Sequence, residues 1–195
     1  EAVETEEEQK RAAGIILEEA ERLDHLVSDL LTLSKLDSGV IELNMQSFDP
    51  NPLIENILER LQFQIKAKDL SIDKEFTENL TISADAEKID RLFSNLVDNA
   101  VKFTNMGGKI SISTYPLKNK VVIKIGDTGV GIPEDELGRI FERFYRVDKS
   151  RSREQGGTGL GLAIVKHIIE AHQQTINVRS SLNEGTSFVF TLKKA

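Results

Sequence analysis

The first 38 residues carry one long helical pattern without a proline. Ile16, Leu23 and Leu30 recur every seven residues, Ala20, Val27 and Leu33 fill the half-steps, and Leu17, Leu26 and Leu31 widen the stripe. A repeat of 3.5 residues places these side chains on one seam, as in a helical bundle or coiled coil. The opposite face holds Glu18, Glu21, Arg22, Asp24 and Asp29. Such a helix cannot bury its stripe alone. A second copy in a dimeric four-helix bundle would cover it, and so would the chain's own domain; the pattern fits both equally. Asp37-Ser38-Gly39 supplies a stop.

Beyond residue 39 the periodicity switches repeatedly between two and 3.6. Val40, Ile41, Leu43 and Met45 predict a short strand. Asp49 caps a helix with Pro50 at its first position, running to about Lys68 over Leu53, Ile54, Ile57, Leu58, Leu61 and Ile65. Strands are expected near 70–77 and 80–84, then a strong helix over 86–103. Residues 110–115 and 121–125 read as an antiparallel pair turning near Lys118-Asn119. Residues 128–158 are rich in Gly, charge and Phe. A helix over about 159–172 and strands near 176–181 and 187–193 close the chain. This order predicts an α+β fold, a mixed sheet with helices on one face.

Composition narrows the function classes. Hydrophobic residues make up 39% and charged residues 29%, as in globular proteins. The net charge of -7 argues against a broad nucleic-acid footprint. Without cysteine there is no disulfide, thiolate metal site or cysteine nucleophile. No apolar run approaches the ~20 residues of a membrane span, so no membrane contact is expected of this stretch. No signal peptide is visible. The opening at Glu1, inside a helical pattern, reads as a piece of a longer protein.

Four segments carry candidate chemistry. In Asp90-Arg-Leu-Phe-Ser-Asn-Leu-Val-Asp-Asn-Ala-Val-Lys-Phe-Thr104, helical spacing brings Asn95, Asn99 and Lys102 within about 60° of one another. Ile89, Leu92, Phe93, Leu96 and Ala100 take the core side. Two carboxamides and an ammonium suit a hard cation with phosphate. Taken alone, the triplet is better explained as a solvated polar face. Asp127-Thr-Gly-Val-Gly-Ile-Pro133 follows an apolar strand, and a carboxylate there could accept from an exocyclic amine. An ordinary Asp-Thr-Gly turn is the plainer alternative. Gly156-Gly-Thr-Gly-Leu-Gly-Leu162 opens a helix, and exposed N–H groups at such an end suit phosphate. It matches neither a Walker loop nor a dinucleotide fingerprint, and Gly-rich stretches are often plain loops. Ile140-Phe-Glu-Arg-Phe-Tyr-Arg-Val-Asp148 concentrates Phe141, Phe144 and Tyr145 in a chain only 6% aromatic, as a lid anchor or a small satellite core, with Arg143 and Arg146 able to reach phosphate.

The order and spacing of these segments are specific. Asn-x3-Asn-Ala-x-Lys-Phe, Asp-Thr-Gly-x-Gly-Ile-Pro, Phe-Glu-Arg-Phe-Tyr-Arg, Gly-Thr-Gly-Leu-Gly-Leu and Gly185-Thr186 resemble the asparagine, first glycine, phenylalanine, second glycine and third glycine boxes of sensor histidine kinases. The match covers about residues 40–195. Residues 1–38 resemble the second helix of the dimerisation and phosphotransfer hairpin, ending in Leu33-Ser-Lys-Leu-Asp-Ser-Gly39. The run from Phe144 through Ala163-Ile-Val-Lys-His167 is similar to phosphate-responsive kinases of the PhoR type.

The resemblance implies a Bergerat-type α/β sandwich over 39–195, preceded by a dimerisation helix over 1–38. It implies a cytoplasmic catalytic unit that binds ATP and Mg2+, transfers the γ-phosphoryl group to a histidine, forms a homodimer and serves a response regulator. Asn99 is the implied Mg2+ ligand, with Asn95 beside it. Lys102 and Arg146 would approach the phosphates, and Phe103 would line the nucleotide pocket. Asp127 would read the adenine amine with Thr186, and Gly129 and Gly131 would make room for the ring. Gly157, Thr158, Gly159, Leu160, Gly161 and Leu162 would form the phosphate cradle. One departure matters: the family's His-Glu-Leu-Arg-Thr-Pro acceptor box is absent, and His25 in Leu23-Asp-His-Leu26 lacks its context. His25 therefore reads as a partly exposed structural residue, and His167 and His172 as packing or surface residues. Gln173-Gln174 replaces a Gly pair usual in the family.

Overall fold

The computed structural model describes residues 42–147 and 158–195, and within the first 41 only helical residues 9, 12–14, 16, 20, 23, 27, 30 and 31. His25, the Asp37-Ser38-Gly39 stop, Val40, Ile41 and Gly157 lie outside the described residues.

The chain folds in the order β1 (Met45–Phe48), α1 (Asn51–Arg60), α2 (Gln62–Ala67), β2 (Ser71–Phe76), β3 (Ile82–Asp85), α3 (Ala86–Phe103), β4 (Lys109–Leu117), β5 (Lys120–Asp127), α4 (Gly161–Ala171), β6 (Ile176–Ser181) and β7 (Gly185–Lys194). A short 3-10 turn, Glu134–Glu136, lies between β5 and α4. Among the described residues seven strands form one mixed sheet in the order β1-β3-β7-β5-β4-β2, with β6 pairing β7 off this path. Only β2 and β4 run parallel; the other pairs are antiparallel. β5 lies along one edge of β7. The other edge takes β6 from Gly185 to Phe190 and then β3 at Lys193 and Lys194.

Alternation sets the faces. Ile110 and Ile112 of β4, Val121, Ile123 and Ile125 of β5, and Phe188, Phe190 and Leu192 of β7 turn into one core. Against them pack Ile54 and Ile57 of α1, Leu92, Phe93 and Leu96 of α3, and Ile164, Val165 and Ile168 of α4. Phe93 meets Phe190 with ring centroids 6.0 Å apart, a helix-to-sheet contact at the centre of the domain. Each fully buried side chain of this size contributes about 1.5–3 kcal/mol.

α3 opens on a side-chain cap. Asp85 Oδ1 accepts from Lys88 N at 3.1 Å, and Oδ2 accepts from Asn44 N at 3.0 Å. The Asp85 N–H in turn donates to His172 Nε2 at 3.0 Å, while His172 Nδ1 donates to Ile168 O at 2.7 Å. These partners fix the tautomer and make His172 a packing residue, as its position in the sequence suggests. At the turn that follows, Gln173 adopts φ 56, so glutamine occupies a left-handed position without glycine.

Candidate functional site

β5 delivers Asp127 at its end. One carboxylate oxygen, Oδ1, accepts from Gly129 N at 2.8 Å and from Thr186 N at 3.3 Å. Oδ2 has no partner among the described residues. Burial pushes the Asp127 carboxyl above its ordinary value, and the two N–H donors offset only part of that. Thr186 is itself buried. Its hydroxyl lies 2.9 Å from Ser180 Oγ, which accepts from Ile132 N at 2.8 Å and donates to Gly185 O at 2.7 Å. Ser180 thus ties β6, β7 and the loop after β5 together. A single serine in an alternating strand gives no sequence signal of that role.

The loop after β5 lies against the end of α3. Val130 N donates to Phe103 O at 3.2 Å. A Cβ on Gly129 would stand 2.3 Å from that same oxygen, and one on Gly131, at φ 68, would stand 1.9 Å from Ser181 O. The space these two glycines open is therefore filled by protein backbone. Phe103 is 41% exposed, an unusual degree for a helical phenylalanine beside a core. Lys102 Nζ lies 5.7 Å from its ring centroid.

Further back along α3, Asn95 faces the start of α4. A Cβ on Gly161 would approach Asn95 Oδ1 to 2.6 Å, while Asn95 Nδ2 donates to Arg91 O at 2.9 Å. The amide nitrogen is thus occupied and the oxygen points toward the helix opening. No side chain among the described residues caps α4. Leu160 N donates to Thr158 Oγ1 at 3.2 Å, and the Leu160 side chain is fully buried. Gly159 O accepts from Phe144 N at 2.9 Å, and Leu162 packs on the core edge. Asn99 lies half-exposed one turn after Asn95, and Arg146 half-buried in the segment leading to residue 148.

The expected aromatic cluster separates. Phe141 packs edge-on against Phe188 at 6.4 Å and joins the core; Phe144 is 59% exposed, and Tyr145 stacks under Arg139 at 4.1 Å. Arg143 contacts His167 Nε2 at 3.3 Å.

Residues 84–195 match the family model described as histidine kinase-, DNA gyrase B-, and HSP90-like ATPase, and residues 1–39 match that of the His Kinase A (phospho-acceptor) domain. The sensor protein kinase WalK of Staphylococcus aureus is 39% identical over 182 residues, covering 92% of this chain and 43% of its own. Full-length ShkA, solved in complex with AMPPNP, superposes with a TM-score of 0.83 at 28% identity over 100% of this chain and 40% of its own. The histidine kinase ThkA, solved in complex with the response regulator protein TrrA, gives 0.78 at 28% identity over 99% of this chain and 53% of its own. The chain belongs to the histidine kinase-, DNA gyrase B-, and HSP90-like ATPase family, in the branch of two-component sensor histidine kinases. It spans less than half the length of the WalK relative it matches. The similarity to WalK leaves the phosphate-responsive branch resting on the sequence pattern alone.

Proposed function

We propose that this site binds ATP with Mg2+ and that residues 39–195 form the phosphoryl-transferring domain of a protein-histidine kinase. One observation carries the reading. A single helix places Asn95 at the opening of α4 and Phe103 against the Asp127 loop. Eight residue steps of helix separate them, about 12 Å. An amine reader at one end and an anion-accepting helix start at the other suit a molecule with a base at one end and phosphates at the other.

Asp127 would accept from the adenine amine through Oδ2, with Thr186 beside it and the exposed Phe103 ring against the base. Lys102 and Arg146 would face phosphate charge. Asn95 and Asn99 fit a hard cation, because Asn95 Oδ1 is already turned toward the helix opening. Mg2+ held there would neutralise phosphate charge as the transfer proceeds. Backbone N–H groups of 157 and 159–162 would cradle the phosphates, with Leu160 N released from Thr158 Oγ1. The chain's own work is positioning and charge stabilisation. The AMPPNP complex of ShkA supports the ligand class, and the TrrA complex of ThkA supports a response regulator as partner. Residues 1–38 would supply a homodimer helix. A cytoplasmic position for this portion is part of the same proposal; among the described residues no helix is long and apolar enough to cross a membrane.

The alternative is a nucleotide-binding module of the same fold without transfer. Titration with a non-hydrolysable ATP analogue and Mg2+ tests the site. Incubation with Mg-ATP and a separately supplied acceptor hairpin tests the reaction. Phosphohistidine on the hairpin supports the kinase; binding without transfer supports the module; no binding ends both.

A further inference from the structure

Lys68 belongs to none of the motifs above. It follows α2, and its Nζ donates to three carbonyls at the end of α3: Lys102 O at 2.6 Å, Val101 O at 2.9 Å and Thr104 O at 3.1 Å. A helix end leaves its last carbonyls without intrahelical partners. At this end each of them is satisfied. Ala100 O accepts from Thr104 N at 3.1 Å. Lys68 takes the carbonyls of 101, 102 and 104. The one it leaves, Phe103 O, accepts Val130 N at 3.2 Å.

An ammonium has three hydrogens, and all three find acceptors here. The link is mutual, because Gly107 N donates to Lys68 O at 2.9 Å. The charge sits at the negative end of the α3 dipole. A lysine kept for solubility would instead extend its head group into water. Burial lowers the Lys68 pKa, so the charge is held there at some electrostatic cost.

We propose that Lys68 is a positioning residue for the nucleotide site: it fixes the last turn of α3, and with it Lys102, Phe103 and the carbonyl on which the Asp127 loop rests. This rests on the nucleotide reading of that site. The rival is a simple helix cap, which would stabilise the fold without shaping the pocket.

The test compares Lys68→Met, which keeps the stem and removes the donors, with Lys68→Arg, which keeps charge and donors. Affinity of the full chain for a non-hydrolysable ATP analogue with Mg2+ is measured well below the melting temperature of each variant. Amide exchange at Val130 is followed in parallel. Lys68→Met weakens the analogue about tenfold and quickens Val130 exchange, while Lys68→Arg recovers affinity to within about threefold. Wild-type affinity and wild-type Val130 exchange in folded Lys68→Met overturn the proposal in favour of a cap. If Lys68→Met does not fold, Lys68→Gln carries the same comparison with a loss of about threefold. A wild-type chain that binds no analogue overturns the site reading instead, and Val130 exchange in the variants then decides the mechanical link by itself.

Discussion

Asp127 holds a carboxylate where desolvation disfavours its charge, and both of its backbone donors fall on one oxygen. An amide could accept the same two bonds without the buried charge. A raised folded pKa means that the folded chain binds the proton more tightly. The group therefore favours folding at low pH, and that contribution is lost as pH rises from the ordinary 3.8 through the raised value. Asp127→Asn should accordingly be more stable than wild type at pH 7, with the gap closing toward pH 4. Urea titrations at several pH values check this, and a constant gap would contradict it. The same variant turns an amide donor toward the adenine amine. ATP affinity should fall roughly ten- to a hundredfold, with discrimination against GTP weakened. Gly131 makes the opposite kind of demand. A Cβ there meets Ser181 O at 1.9 Å with φ at 68, so Gly131→Ala should cost about 2–4 kcal/mol, read as a lower denaturant midpoint.

Among the elements, α3 was the most legible. Its bounds, 86–103, are those the sequence predicts, because the apolar stripe is strong. Asp85→Ala removes the acceptor of Lys88 N and of Asn44 N together. It should destabilise by about 1–2 kcal/mol, seen as a shifted urea midpoint at unchanged slope. Other elements were less readable. The helix expected from Pro50 to Lys68 is interrupted at Leu61, which stands at φ -92 and ψ 4. Leu61 N still reaches Ile57 O and Leu61 O still accepts Ile65 N, so only dihedrals change, and no Gly or Pro announces it. Asp49 Oδ1 accepts from Asn51 N at 2.9 Å, and the helix starts at Asn51 with Pro50 at the cap, one residue after the start the sequence predicts. Of the strand expected over 40–45, Val40 and Ile41 lie outside the described residues and 42–44 are not strand; β1 occupies Met45–Phe48, because pairing of Phe48 with Ile82 sets it and three of its four side chains are exposed. An edge strand with so little burial leaves no alternation to read. At the site, the motif residues were visible in the sequence. Lys68 and Ser180 were not, because their partners are carbonyls and N–H groups, which carry no residue identity.

At the scale of the molecule, strand adjacency came from pairings distant in sequence, such as Ile82 with Lys194, which no local pattern encodes. The N-terminal seam is the reverse case: its spacing is plain, and its cover is not. Ile16 is 69% exposed, Leu23 60%, Val27 54% and Leu30 47%. Burying each such side chain is worth about 1.5–3 kcal/mol, far more than helix propensity supplies. We propose a second copy as the cover, with residues 39–195 able to fold without it. The full chain should then sediment as a dimer at micromolar concentration. Leu23→Glu combined with Leu30→Glu should sediment as a monomer, since two buried charges per helix cost several kcal/mol. Residues 39–195 alone should remain folded, monomeric and unchanged in affinity for the ATP analogue. A full chain that stays monomeric would remove the dimer, and an unfolded 39–195 would show that the helix belongs to the domain's own core.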